Sequence, residues 1–237
     1  EIDCSTLAYV PGLARSWEVS ADGRRWTFHL RRGVEWADGA PFSADDVLFT
    51  FRATYDSTTA SPARDGLAVD GTPFAVTKTD GETIVIETAR PFGPMLHALA
   101  TSAEIVPRRL WEDALRAGRM AEAIGVATAS DSLIGTGPLR VERKEPGRTV
   151  LARNPRYWKF DRAGTRLPFV DRIVFVNAGD YNSWRLKFDA KEVDAYLVRA
   201  EEVDDVSDRS AAGGYRVIDL GPRLGTIHLW LNQNSGE

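Results

Sequence analysis

The chain has 237 residues, 43% of them apolar and 27% charged, with a formal net charge of −4. That length holds one large or two ordinary domains with a real core, and the charge gives no electrostatic footprint for nucleic acid or an anionic membrane surface. A single cysteine, Cys4, excludes a disulfide framework and a cysteine-based zinc site, and no apolar run approaches the ~20 residues that span a bilayer.

Residues 1–12 read as irregular and end in the turn signal Val10-Pro11-Gly12. Strands are predicted over 16–19 and 26–31, joined at Ala21-Asp22-Gly23, because glycine tolerates the positive φ of a tight turn. A second Asp-Gly follows at Asp38-Gly39. Ser43 is placed to cap a helix through the Asp46 amide, and Asp45 and Asp46 fall in the first turn, where the helix dipole favours negative charge. Ala44, Val47, Leu48, Phe51 and Tyr55 recur on one helical face. Residues 56–71 read as a surface loop, with a possible short helix, and 74–78 with 83–88 as a second hairpin. A short helix over 95–100, a brief strand over 104–107 and helices over 108–117 and 119–124 lead to a polar connection, 126–132.

The pattern changes at Ile134-Gly135-Thr136-Gly137-Pro138. Residues 139–143 and 149–153 predict a hairpin and 170–176 an apolar strand. A helix over 181–188 puts Tyr181, Trp184 and Phe188 on one face. A strand over 193–197, a short helix over 201–206 and strands over 215–220 and 226–231 complete the chain. This alternation predicts an α/β sheet with crossover helices, while the first half is closer to α+β, with a boundary near residue 132.

No constellation for chemistry stands out. His29, His97 and His228 share no ligand spacing and read as structural or exposed, so no metal and no cofactor are implied. Asp45-Asp46 and Glu201-Glu202 are neighbours that point about 100° apart on a helix and do not converge for acid–base work. A phosphate cradle at Gly135-Thr136-Gly137 would need a helix after it, whereas Pro138 and a strand follow. Trp17, Trp26, Trp36, Trp158 and Trp230 read as core rather than as a sugar-binding surface.

Several short words recur in order: Leu13-Ala14-x-Ser16-Trp17, Trp26-Thr27-Phe28-x-Leu30-Arg31, Trp36-x-Asp38-Gly39-x-Pro41-Phe42, Ala44-x-Asp46-Val47, Gly135-Thr136-Gly137-Pro138, Asn154-x-x-Tyr157-Trp158 and Glu192-Val193-Asp194. Together they make a chain that resembles the extracellular solute-binding proteins of family 5, the peptide- and nickel-type binding components of ABC importers. The resemblance implies a class II periplasmic-binding-protein fold, a two-lobed clamshell that closes on its ligand. Residues 1–132 would form the extra α+β domain of the peptide binders and 133–237 most of the first α/β lobe.

Family members are much longer, and the opening Glu-Ile-Asp-Cys has no signal-peptide pattern. The resemblance thus implies an internal piece without the second main lobe, one expected to bind peptide weakly or not at all by itself. It places Thr101 and Ser102, the turn Gly135, Thr136 and Gly137, and the strand end Asn232 and Gln233 near the ligand, with His97 close by. The implied partners are a peptide or other small solute and an ABC permease. The protein is expected to be a monomer in the periplasm or a lipoprotein on a Gram-positive surface, meeting the membrane only through the transporter, with no nucleic-acid partner and no enzymatic activity. Nickel chelates or oligosaccharides are alternative ligands, and a regulator's ligand-sensing domain is an alternative role. A glycosidase would need two carboxylates ~5–9.5 Å apart in a cleft, and the sequence nominates no such pair.

Overall fold

The computed structural model describes residues 1–3, 6–125 and 127–221. Contacts group Glu1 and Tyr9–Tyr196 into one unit, and Ile2–Ala8 with the chain from Leu197 into another.

The larger unit begins with a four-stranded antiparallel sheet of order β1-β2-β6-β5, formed by β1 (Ala14–Val19), β2 (Arg25–Leu30), β5 (Ala75–Lys78) and β6 (Thr83–Glu87). Gly23, at φ +67°, makes the first turn as its Asp-Gly signal predicts. Asp22 holds that turn by accepting from the Ser20 hydroxyl at 2.5 Å and the Arg24 amide at 3.1 Å, bonds that keep its carboxyl below the usual range. Trp26 pairs with Ile86 and Phe28 with Ile84 across β2 and β6, and all four are buried on one face of the sheet. The loop before β5 carries a 3-10 turn, Asp65–Leu67, and a two-residue ladder of β3 (Ala68–Val69) with β4 (Thr72–Pro73).

Helix α1 (Ala44–Tyr55) lies against this sheet, and Ser43 and Asp46 form a capping box at its start. It is buried on two faces rather than the single one its periodicity indicates. Ala44, Val47 and Phe51 join the sheet core, whereas Phe49 and Ala53 pack with Trp111, Leu115 and Met120 of α3 (Arg108–Arg116) and α4 (Met120–Ala123). Trp26 and Trp36 are core residues, and Trp17 and Trp158 pack against that core half-buried.

The expected strand over 104–107 does not form. The Val106 amide is taken by the Thr50 hydroxyl of α1 at 3.0 Å, which removes it from any ladder. Helix α2 (Met95–Ser102) precedes this segment.

Beyond residue 132, β7 (Leu139–Glu145), β8 (Arg148–Arg153) and β9 (Arg172–Val176) make a three-stranded sheet in sequence order. Helix α5 (Tyr181–Asp189) follows, capped by the Asp180 carboxylate on the Ser183 amide. The described elements mix helices with antiparallel sheets. The expected crossover pairing does not occur among the described residues, where every strand pair is antiparallel. Residues 193–197 form no strand, and Ala195 and Tyr196 meet α5 instead. Tyr196 packs against Tyr181, Trp184 and Phe188, the three aromatics predicted to share a face, and the Ala195 carbonyl accepts from the Trp184 indole at 3.2 Å.

In the smaller unit, α6 (Val203–Asp208) and α7 (Ser210–Gly213) follow a 3-10 turn at Ala200–Glu202. The expected strand over 215–220 is not formed: the Tyr215 hydroxyl donates to the Val206 carbonyl at 3.0 Å, and Ile218 and Leu220 are exposed. The strand expected over 226–231, with His228 and Trp230, lies outside the described residues.

Candidate functional site

The turn at 135–138 is held in place by its own carbonyls. Gly135 accepts from the Ala37 amide at 3.0 Å and Pro138 from the Asn154 amide at 2.8 Å. Gly137 accepts from the Asn154 side-chain amide at 2.8 Å. Asn154 is fully buried, and its Oδ1 accepts in turn from the Arg156 amide at 3.0 Å. The sequence named Asn154 only as part of a family word. Its donor and acceptor capacity in the Asn-Pro turn is the signal that marks it as the residue positioning this loop.

Thr136 and Gly137 then form one wall of a cavity of about 330 Å³. Most of the remaining lining is apolar, including Trp17 and Phe28 of the first sheet, Leu96 and Leu99 of α2, and Trp158. Such a site offers dispersion contact to an apolar group, with the Thr136 hydroxyl and the turn's backbone as orienting polar atoms. Trp158 is fixed by cations on its ring, with Arg31 Cζ 4.5 Å and Lys159 Nζ 5.2 Å from the centroid. The neighbouring Tyr157 hydroxyl is pushed up in pKa by burial.

Thr101 and Ser102 lie elsewhere. They line a second cavity, of about 650 Å³, between α1, the 59–63 segment and α4, together with Thr54, Thr59 and Glu104. The Thr101 hydroxyl bonds back to the His97 carbonyl at 2.8 Å, as a helix-terminal threonine does, and His97 is exposed. The structure therefore brings Thr136 and Gly137 together and separates them from Thr101 and Ser102. Gly135 is exposed at the start of the turn, and Asn232 and Gln233 lie outside the described residues. His29 is accounted for by a cross-strand contact, 3.6 Å from Glu18. Among the described residues no group of three histidine, cysteine or acidic side chains is placed to hold a metal ion, and no helix is long and apolar enough to cross a membrane.

A family profile described as "Bacterial extracellular solute-binding proteins, family 5 Middle" matches residues 8–236. The dipeptide-binding protein of Escherichia coli (strain K12) is 30% identical over 189 residues, covering 74% of this chain and 34% of its own length. Di/tripeptide-binding protein 4 of Pseudomonas aeruginosa (strain UCBPP-PA14) is 32% identical over 208 residues, covering 81% of this chain and 37% of its own. Among solved structures, Burkholderia pseudomallei OppA shares the fold with a TM-score of 0.71 at 21% identity, covering 89% of this chain and 42% of that one. The chain thus spans about a third of the length of the curated relatives it matches.

Proposed function

The chain belongs to family 5 of the bacterial extracellular solute-binding proteins, and from that membership we propose that the whole protein captures small peptides and delivers them to an ABC permease. The observation that carries this reading is the likeness, along most of the chain, to two relatives whose names specify di- and tripeptides. The protein works in the periplasm or at the cell surface, as a monomer, and performs no chemistry on its ligand. Capture proceeds by closure of two lobes, and the closed state is stabilised by ligand contacts made only there. In this reading residues 1–132 are the extra domain and 133–237 part of the first lobe.

Thr136 and Gly137, presented by Gly135 and braced by Asn154, are one contribution of this chain to the ligand wall, and the apolar cavity beside them accepts a side chain. Thr101 and Ser102 contribute from a separate surface, and Asn232 and Gln233 from the end of the chain. The test is calorimetric titration of di- to pentapeptides into the protein in the longest form its gene encodes. Saturable peptide binding supports the reading. Binding of a nickel chelate or an oligosaccharide with indifference to every peptide would replace it, and hydrolysis of a bound ligand would move the protein to another class.

A further inference from the structure

A third pocket, of about 490 Å³, is basic. Four guanidiniums line it, those of Arg31, Arg32, Arg156 and Arg166, against one carboxylate, Glu35. Arg156 is committed to Glu35 at 2.7 Å, and Arg32 to Glu82 at 2.6 Å. Arg31 and Arg166 pair with no carboxylate among the described residues. Each lies instead over an aromatic ring. Arg31 Cζ is 4.5 Å from the Trp158 centroid, and Arg166 Cζ is 4.6 Å from that of Phe160. Each spends one N–H on a backbone carbonyl, Arg31 Nε on Gly12 at 3.3 Å and Arg166 Nη1 on Tyr157 at 2.6 Å.

A chain of net charge −4 thus gathers in one concavity two positive charges that have no carboxylate partner among the described residues. Stacking holds a guanidinium flat while leaving its edge donors pointing outward, the arrangement that recognises a planar or tetrahedral oxyanion by two parallel hydrogen bonds. The surroundings are built rather than incidental. Gly39, at φ +93°, leaves room for Arg156, since a Cβ there would lie 2.9 Å from its Cζ. A bridge between Phe160 and Arg166 closes the loop that carries them. A phosphate group, free or as the phosphodiester of a lipid headgroup, offers at least two anionic acceptor oxygens in a tetrahedral frame, so each of the two guanidiniums can take its own oxygen.

We propose that this pocket is a phosphate-binding site, distinct from the apolar cavity and taking its phosphate from a free anion or from the headgroup of an anionic lipid. Trp158 lines both cavities, so its fluorescence reports on occupancy. The test titrates inorganic phosphate and pyrophosphate into the protein by calorimetry and tryptophan fluorescence, with W158F identifying the reporter. In parallel, the protein is sedimented with phosphatidylglycerol and with phosphatidylcholine vesicles. Saturable phosphate binding that weakens as salt rises, and falls roughly tenfold or more in R31Q/R166Q, is the expected result. R31K/R166K keeps the charge but loses the fork, so it falls between the two, and it serves alone if the glutamine variant does not fold. Binding only to phosphatidylglycerol vesicles, with the same dependence on the two arginines, identifies the headgroup as the source. No binding in either arm, or binding that neither double variant changes, overturns the proposal.

Discussion

The carboxylate of Asp46 accepts a hydrogen bond from the backbone amide of Arg108 at 2.9 Å, 62 residues away in the chain. Its other oxygen accepts from the Ser43 amide at 3.0 Å and from the Trp36 indole at 3.4 Å. One buried side chain therefore caps α1, anchors the core tryptophan and satisfies the first amide of α3, whose own cap, Pro107, offers no side-chain acceptor. Asp46→Asn puts donors where acceptors are needed and leaves buried N–H groups unpaired. The expected loss is ~3 kcal/mol of unfolding free energy, read from urea denaturation. A loss below ~1 kcal/mol would show that water takes over these bonds.

Phe49 faces the second core, at 2% exposure, among Trp111, Leu115 and Met120. Phe49→Ala removes a full ring from a packed site and is expected to cost ~3–5 kcal/mol. Leu48→Ala, half-buried on the face that periodicity picks out, should cost less. Paired thermal melts decide the order, and the reverse order would contradict the two-faced burial of α1.

Tyr55 donates to the Leu67 carbonyl at 2.6 Å and accepts from the Phe74 amide at 3.1 Å. Burial raises its hydroxyl pKa from 10.0 to about 12. The folded state thus holds the phenol proton more tightly than the unfolded state does. The stability this contributes is complete below pH 10 and is lost as pH rises through about 12. Tyr55→Phe should flatten the fall in stability over that window, measured as chemical-denaturation midpoints against pH. Near neutral pH the variant should lose only ~1 kcal/mol, because the Phe74 amide keeps a 3.4 Å bond to the Leu67 carbonyl.

Glu112 sits among Arg52, Arg108 and Arg116. Burial pushes its carboxyl up, but the bonds from Arg108 at 2.6 Å and Arg52 at 2.5 Å together bring it below its ordinary value of 4.5. A depressed folded-state value means stability present above pH 4.5 and lost as pH falls through the folded pKa. Glu112→Gln should remove that part of the acid-side slope, read from melting temperatures across a pH series. An unchanged slope would assign acid sensitivity to other carboxylates.

On the proposed ligand wall, Thr136→Ala removes one hydroxyl without touching the carbonyls that fix the turn. Peptide affinity in the full-length protein is expected to fall roughly three- to tenfold, with melting temperature unchanged. An equal fall in melting temperature would make Thr136 a structural residue only.

Much of this was readable from local chemistry. The Asp-Gly turn at Gly23, the Ser43 cap and the aromatic face of Tyr181, Trp184 and Phe188 each depend on residues close in sequence, and each forms as expected. What was not readable depends on distant partners. Nothing near Phe49 announces a second core, because Trp111 and Met120 come from later helices. Residues 193–197 have the composition of a strand, but Ala195 and Tyr196 are engaged with α5 rather than with a sheet edge. Likewise Thr101 and Thr136 look equivalent as polar residues after apolar runs. Only the packing of α2 and the anchoring by Asn154 place them at different cavities.

Because α1 is sandwiched between the sheet on one side and α3 with α4 on the other, neither layer can detach without stripping it. Its amides should exchange with deuterated solvent only through the global opening of residues 13–123, more slowly than those of the β7–β9 sheet. Those residues should also melt in a single step, whatever the rest of the chain does.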